Sequence, residues 1–372
     1  MKIEQVEVTA LRAPRKEPVR AGHTMHAPVT ASEFGLVRLL ADNGYEGLGE
    51  ISITSPRIGF SLCHAARKLI APVLIGLDPL ALPVALARID LALGGELSAP
   101  YLRAAFEMAL LDLAGRYYNV PVYQLLGGRA RAAVPLAWSI YQKDPDEMGA
   151  DAAAARAQGY HAIKLKVGRV IADDVAAVRA VAGAVGRATP LRLDANTAWR
   201  TVPVAAEAMR ALAAEATVAW FEQPLNRHNL TGLRLLRQQS GLQVMADESC
   251  QSLHDAFTVA KAEAADVFNV YISEAGGLTA ARDIFAFATA LDIPCIIGSQ
   301  AEMWIGTAAC MHVGLAVADL PYPCESFGPL RYVHDIVATG PRIENGWLHP
   351  ADAPGLGVTL DAAALADLAV DE

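Results

Sequence analysis

The sequence predicts an α/β protein in which a closed barrel of parallel strands carries a smaller α+β domain. Three observations support this prediction. The length of 372 residues suits a barrel with an accessory domain better than one small domain. Residues 129–330 alternate between strand and helix patterns, whereas residues 1–128 show a few strands followed by helices. Residues 331–372 break the alternation, and we expect them to fold back onto the first 128 residues.

The first 128 residues predict a small antiparallel sheet followed by helices. Alternating apolar residues indicate strands at 3–11, 34–40 and 45–51, and Asn43-Gly44 is typical of a hairpin turn. Apolar residues at helical spacing then indicate helices at 59–74, 80–93 and 102–118. This segment and the tail together form the predicted capping domain.

The central 202 residues predict eight strands with seven helices between them. The strand patterns lie at 134–140, 161–167, 190–196, 218–223, 243–249, 267–273, 294–299 and 323–327. Eight strands alternating with helices is the arrangement of a closed parallel barrel. An open, doubly wound sheet is the alternative, and the lack of a glycine-rich phosphate turn after the first strand weakens it.

Composition limits the partners that we expect. The chain is 53% hydrophobic and 19% charged, which is typical of a globular protein, and its formal net charge of −9 argues against nucleic acid or an anionic membrane. Five cysteines without a CxxC pair favour a reduced, cytoplasmic protein. The first residues lack the apolar core of a signal peptide, and no apolar run is long enough to cross a bilayer.

Three carboxylates stand at the ends of consecutive barrel strands. Asp194, Glu222 and Asp247 end the third, fourth and fifth strands, 28 and then 25 residues apart. Neighbouring strands lie about 4.8 Å apart, so the three side chains can converge. Buried carboxylates repel unless a cation compensates them, and a hard divalent cation fits: Mg²⁺, with Mn²⁺ as the alternative. The competing interpretation is that each is a helix cap, as Asp247 would be before Leu253.

Two lysines share one face of the second barrel strand. Lys164 and Lys166 are two residues apart in an apolar run, so their side chains point the same way. Repulsion between two ammonium groups favours loss of a proton, and one lysine can then act as a base. The run alone fits a solvated strand face as well, but the carboxylates on the next strands favour a catalytic pair.

These motifs in this order resemble the enolase superfamily, and within it the muconate lactonizing enzyme subgroup. The resemblance rests on Lys164-x-Lys166, Asp194-x-Asn196, Glu222-Gln-Pro, Asp247-Glu-Ser and a Gly-Gly pair after the sixth strand. It implies a (β/α)7β modified TIM barrel with the capping domain described above. It also implies that Lys166 removes the α-proton of a small carboxylate through an enediolate, with Mg²⁺ bound by the three carboxylates. Lys164 would lower the pKa of Lys166 and contact the substrate carboxylate, and the subgroup's members are often homo-oligomers.

One position departs from the subgroup's pattern. Many members carry another lysine at the end of the sixth strand, and Tyr271 stands there in this chain. Racemisation needs a catalyst on each face of the α-carbon, whereas elimination and cycloisomerisation can proceed with one lysine. Tyr271 can donate a proton but is a poor base, because its ordinary pKa is about 10. Two interpretations of Tyr271 carry equal weight: it is either a general acid or a residue that shapes the pocket.

The sequence therefore predicts a Mg²⁺-dependent lyase that acts by β-elimination on a small carboxylate, such as a hydroxylated amino acid or proline derivative. The alternatives are a racemase or epimerase with Tyr271 as second catalyst, a cycloisomerase, and a catalytically idle relative that only binds metal and ligand. The loops at 18–30 and 51–57 are expected to choose the substrate. Further predicted substrate-binding residues are Asn196, Glu302, Glu325, His23 and His26.

Overall fold

Three antiparallel strands open the chain in this computed structural model, which describes residues 1–19, 28–53, 58–95 and 99–370. The strands pair in sequence order, and the second and third are joined by the predicted turn, in which Gly44 has a φ of +84°. The first two strands are longer than the sequence pattern indicates, because pairing continues beyond the apolar alternation, whereas the third has the predicted length and is shifted by one residue. Their bounds are Ile3–Val19, Val29–Ala41 and Glu46–Ser52.

Helices cover the sheet, and the longest of them, Pro100–Tyr118, lies directly on the third strand. The approach is close because the strand carries glycines there: a Cβ at Gly47 would lie 2.0 Å from the Ala109 carbonyl oxygen. The first predicted helix contains a π-helical section. The other helical bounds are Gly59–Ala65, the π-helical Ala66–Ile70, Ala71–Leu74, Leu82–Ala92 and Val122–Leu125.

Seven parallel strands follow and pair in sequence order. An eighth segment completes the barrel: Cys324 bridges Leu136 beside the first strand, and the Glu325 amide donates to the Ile297 carbonyl at 2.9 Å. The structure thus confirms the predicted α/β barrel with its cap. The seven strands are Ala137–Ile140, Ala162–Lys166, Leu191–Asp194, Val218–Glu222, Val244–Ala246, Val267–Val270 and Cys295–Ile297.

The predicted helices between the strands are present, with one difference after the sixth strand. That strand ends at Val270, and a short helix, Ile272–Ala275, takes the place of the predicted strand end. Gly276, at a φ of +87°, ends this turn in the left-handed conformation that favours glycine. The barrel helices are Pro145–Ala157, Ile171–Val185, Val202–Ala213, Leu230–Ser240, Leu253–Lys261, Leu278–Thr289 and Trp304–Ala316.

The C-terminal tail contacts both the barrel region and the N-terminal sheet. Its strand Trp347–His349 pairs with Val134–Pro135, so the predicted strand at 134–140 is divided between a tail sheet and the barrel. Its end reaches the first strand, where the Val370 amide donates to the Ala10 carbonyl at 3.0 Å. Domain boundaries at residues 128 and 330 stay a prediction. The remaining tail elements are the 3₁₀ helix Gly328–Arg331, the strands Val337–Thr339, Arg342–Glu344 and Thr359–Leu360, and the helix Ala362–Leu368.

Candidate active site

Strand register sets three of the predicted site residues side by side. Lys166 pairs with Asp194 across the second and third strands, and Asp194 pairs with Glu222 across the third and fourth. Asp247 follows the fifth strand by one residue. The three carboxylates are buried, and one oxygen from each lies within 4.8 Å of the others. The convergence that strand spacing predicts is therefore present.

Asp247 is not the helix cap that the competing interpretation required. The Ser252 hydroxyl accepts from the Asp255 amide at 3.1 Å and caps the following helix instead. Gln223 holds the fifth-strand end in place, since its side-chain oxygen accepts from the amides of Asp247 at 3.0 Å and Ser249 at 3.1 Å. The Glu-Gln-Pro motif thus positions the neighbouring carboxylate as well as supplying its own.

The two lysines face the carboxylates in different ways. Lys164 is fully buried, and its ammonium contacts Glu222 at 2.7 Å, Glu325 at 2.8 Å and Asp194 at 3.0 Å. Burial lowers the pKa of Lys164, but these carboxylates together outweigh it and hold the pKa well above its ordinary value. Lys164 does not line the cavity, whereas Lys166 does.

Among the residues that the structure describes, Lys166 has a single carboxylate contact, at 2.6 Å to Asp194. Burial lowers its pKa and so does Lys164, as the Lys-x-Lys spacing predicts. The Asp194 carboxylate, through its charge and its hydrogen bond, and the Glu222 charge together outweigh both effects, so the net shift of the Lys166 pKa is upward. The Lys-x-Lys spacing thus accounts for one contribution to the Lys166 pKa, and the opposing charge of Asp194 comes from the next strand.

The excess negative charge and the unpartnered carboxylate oxygen of this cluster fit a divalent cation. Among the described residues, the five carboxylates of Asp194, Glu222, Asp247, Glu248 and Glu325 outnumber the cations that face them, which are the two lysine ammonium groups and the buried Arg192 guanidinium. One oxygen of Glu222 is buried without a hydrogen-bond partner among the described residues, and burial raises the pKa of this group to about 8. An unpartnered carboxylate oxygen among excess negative charge is a suitable ligand for Mg²⁺ or Mn²⁺.

Tyr271 lies against this cluster. Its hydroxyl donates to Asp247 at 3.3 Å, and burial together with the Asp247 charge raises its pKa well above the ordinary value. The ring occupies space that only a glycine leaves open, because a Cβ at Gly298 would come within 2.4 Å of the ring. The residue is therefore held by packing and by one hydrogen bond to a carboxylate.

A cavity of about 490 Å³ opens above the cluster. Of the predicted residues, Lys166, Asp247, Asn196, Tyr271 and Glu325 line it. Glu302 lies behind this wall and supports the loop, accepting from the Gln300 amide at 2.9 Å and from the Ser299 hydroxyl. His23 and His26 lie outside the described residues, so their role stays a prediction.

Other cavity residues escaped the sequence analysis. Glu248 follows Asp247 directly and was visible in the motif, but its role was not recognised. Glu274 comes from the short helix after the sixth strand, where a strand was expected. Arg15 and Tyr101 come from the cap, and no local pattern marks them as cavity residues; the Tyr101 hydroxyl donates to Glu274 at 3.5 Å.

Comparison with known families agrees with this geometry. The family model described as "Enolase C-terminal domain-like" matches residues 147–364. The model described as "Mandelate racemase / muconate lactonizing enzyme, N-terminal domain" matches residues 4–127. The chain belongs to the enolase superfamily, in its muconate lactonizing enzyme subgroup, and its relatives there are enzymes.

Relatives in this subgroup carry out different isomerisations. The chain is 32% identical over 370 residues to chloromuconate cycloisomerase of Cupriavidus necator, covering 97% of both chains. It is 31% identical over 362 residues to the L-Ala-D/L-Glu epimerase of Bacillus subtilis, covering 96% of this chain and 97% of the epimerase. A crystal structure of muconate lactonizing enzyme from Pseudomonas fluorescens, complexed with muconolactone, matches with a TM-score of 0.93 and 34% identity over 99% of each chain.

Proposed function

We propose that this protein removes the α-proton of a small carboxylate on one face with Lys166 and then eliminates a group from the β-carbon. The observation that carries the proposal is the asymmetry of the site: a lysine lines one wall, and Tyr271 occupies the sixth-strand position. A tyrosine that keeps its proton and donates a hydrogen bond to Asp247 is a poor base for the opposite face. One-sided proton transfer suits elimination, which needs only one base.

Glu325 supports an amino-acid substrate. It lines the cavity and uses one oxygen to contact Lys164 at 2.8 Å. Its other oxygen is buried and has no partner among the described residues. A buried acceptor without a donor is costly, so a substrate N–H group that reached it would relieve that cost. A hydroxylated amino acid or proline derivative offers this donor.

The chain's own residues account for most of the proposed chemistry. Asp194, Glu222 and Asp247 would hold Mg²⁺, or Mn²⁺ in its place. When bound, this ion supplies positive charge that stabilises the enediolate and offsets the Asp194 charge that Lys166 faces. Lys164 neutralises part of the carboxylate cluster from beneath, and Lys166 holds the abstracted proton. The cavity walls orient the substrate above Lys166.

An isomerase is the second candidate. The relatives reported above are named as a cycloisomerase, an epimerase and a lactonizing enzyme, and these names support isomerisation better than elimination. Cycloisomerisation is also compatible with one base, because it forms a bond to the β-carbon, whereas elimination breaks one. Epimerisation would require Tyr271 to serve the opposite face. A relative that only binds ligand is disfavoured by the complete lysine pair and carboxylate set.

Proton NMR in D₂O with Mg²⁺ tests the proposal against small amino acids, hydroxyprolines and acid sugars. We expect loss of a substrate and a new unsaturated or keto product, abolished by EDTA. Lys166→Ala should abolish both α-deuteration and product formation, whereas Lys261→Ala, at an exposed lysine on a barrel helix, should match the wild type. α-Deuteration with inversion and no product would overturn elimination in favour of racemisation. Unchanged activity in Lys166→Ala would refute the base assignment.

We also propose a ligand class, an oligomeric state and a cellular location for the enzyme. The partner is a small-molecule carboxylate, and the loops at 18–30 and 51–57 are proposed to select it. A homo-oligomer in the cytoplasm is the expected form. Within the described part of the chain, no helix combines the length and apolar character that a membrane span requires.

A further inference from the structure

Tyr141 lies beside Lys166 at the rim of the barrel. Ile140, the last residue of the first strand, pairs in register with Leu165 of the second. The next residues along these strands are Tyr141 and Lys166, so their backbones are level and about 4.8 Å apart. Both side chains line the cavity. Tyr141 therefore reaches a bound substrate from the same side as the proposed base.

Two guanidinium groups border Tyr141. The Arg331 guanidinium carbon lies 4.9 Å from the centre of the Tyr141 ring, and Arg15 lines the same cavity. Arg331 donates to the Ser139 carbonyl and Arg15 donates to the Ser32 hydroxyl at 2.9 Å. Among the described residues, neither arginine forms an ion pair with a carboxylate, so both charges act on their surroundings.

This positive charge makes the Tyr141 hydroxyl a better acid than an ordinary phenol. Burial raises its pKa, but Arg331, Arg15 and the two strand lysines together bring the pKa below its usual value. No described residue hydrogen-bonds the hydroxyl, and its oxygen stays accessible from the cavity. In contrast, the hydroxyl of Tyr271 is engaged with Asp247. Tyr141 thus has a proton to give and no acceptor for it within the described part of the chain.

We propose that Tyr141 is the general acid that protonates the leaving group, on the face from which Lys166 takes the α-proton, and that the substrate is a β-hydroxy carboxylate. The inference rests on the proposed function and deepens it. A hydroxyl is a poor leaving group, so its departure requires a proton donor.

The Lys166 amine takes the α-proton, and the C–H electron pair stays on the substrate as the enediolate. Its collapse forms the Cα–Cβ double bond while the Cβ–O bond breaks. The departing oxygen takes the Tyr141 proton and leaves as water. Transfer of the proton on Lys166 to the Tyr141 phenolate restores both groups.

Tyr141→Phe tests the inference, with L-serine, L-threonine and the 3-hydroxy-L-prolines as probes in D₂O with Mg²⁺. We expect product formation to fall about 10²- to 10⁴-fold while α-deuteration of recovered substrate continues. β-Chloro-L-alanine should restore the variant, because chloride leaves without a proton. Tyr160→Phe is the matched control: it removes a hydroxyl from a buried ring packed 4.9 Å from Trp138, outside the cavity, and should behave as the wild type.

The possible outcomes separate the two proposals. Wild-type elimination of the hydroxyl probes by Tyr141→Phe would contradict the inference and leave the proposed function standing. Loss of α-deuteration in this variant would also contradict it, because Tyr141 would then serve Lys166 and not the leaving group. Wild-type protein that exchanges the α-proton of no probe, or exchanges it without cleaving a β-bond, would contradict the proposed function and the inference with it.

Discussion

Single side chains in the site take their properties from the charges on the strands beside them. Lys164 and Lys166 are two residues apart in sequence, yet among the described residues Lys164 contacts three carboxylates and Lys166 contacts one. The deeper lysine is therefore fixed as a permanent cation. Lys166 faces the cavity, so its ammonium group is free to exchange its contact with Asp194 for a contact with a substrate.

Tyr271 gives a prediction at this scale. Tyr271→Phe keeps the ring that fills the space beside Gly298 and removes only the hydroxyl that contacts Asp247 at 3.3 Å. Because we assign the α-proton to Lys166, deuterium incorporation from D₂O should persist in this variant. The measurement is α-deuteration by proton NMR, with Tyr322→Phe as the control, since that ring packs against Trp220 and not in the cavity. Complete loss of deuteration in Tyr271→Phe would make Tyr271 a catalyst.

Among the elements, the contact between the third strand and the helix Pro100–Tyr118 depends on missing side chains. Gly47 and Gly49 face the helix on alternate positions of the strand, as a strand's period of two requires. The helix carbonyls of Ala105 and Ala109 occupy the space where Cβ atoms would lie. The cap is thus assembled by direct approach of one backbone to another.

Gly49→Ala tests this packing. Its Cβ would lie 1.9 Å from the Ala105 carbonyl oxygen, so strand and helix must separate. We expect a loss of about 3 kcal/mol or more in the free energy of unfolding, measured by urea denaturation. Gly183→Ala is the matched control, because Gly183 lies exposed in a helix with nothing within 4 Å of its Cβ position. It should gain about 0.5–1 kcal/mol. Equal stability of the two variants would show that the approach is not tight.

At the scale of the whole molecule, buried polar groups join the cap to the barrel. Glu50, on the third strand, accepts from the amides of Met303 at 2.9 Å and Gly306 at 2.8 Å, at the start of the last barrel helix. His312, on that same helix, accepts from the Tyr123 amide at 3.2 Å. The helix that follows the seventh strand is therefore held by the N-terminal part of the chain at its start and again in its second half.

His312 predicts how stability changes with pH. Burial lowers its pKa to about 4, whereas the ordinary value is about 6.5. The unfolded chain therefore binds this proton more readily, so stability is lost as pH falls from about 6.5 to about 4, by about 1.4 kcal/mol per pH unit at most. Urea denaturation between these pH values should show a shallower slope for His312→Gln than for the wild type. Parallel slopes would contradict a lowered His312 pKa in the folded protein, because contributions from other groups are common to both proteins.

The sequence by itself determined the barrel and the core of its site. Strand and helix periodicities are local, and parallel strands bring their ends to one rim. The spacing of Asp194, Glu222 and Asp247 along the chain was therefore sufficient to predict their meeting. The lysine pair followed from the two-residue period of a strand. The resemblance that rests on these motifs also predicted the family, and the comparisons confirm that prediction.

Only the tertiary structure decided what surrounds that core. Arg15 and Tyr101 reach the cavity from the cap across long sequence separations, and Glu302 turned out to support a loop behind the cavity wall. The net upward shift of the Lys166 pKa and the cationic surroundings of Tyr141 are sums over charges from several strands. Such sums depend on distances in three dimensions, and a one-dimensional pattern contains no such distances.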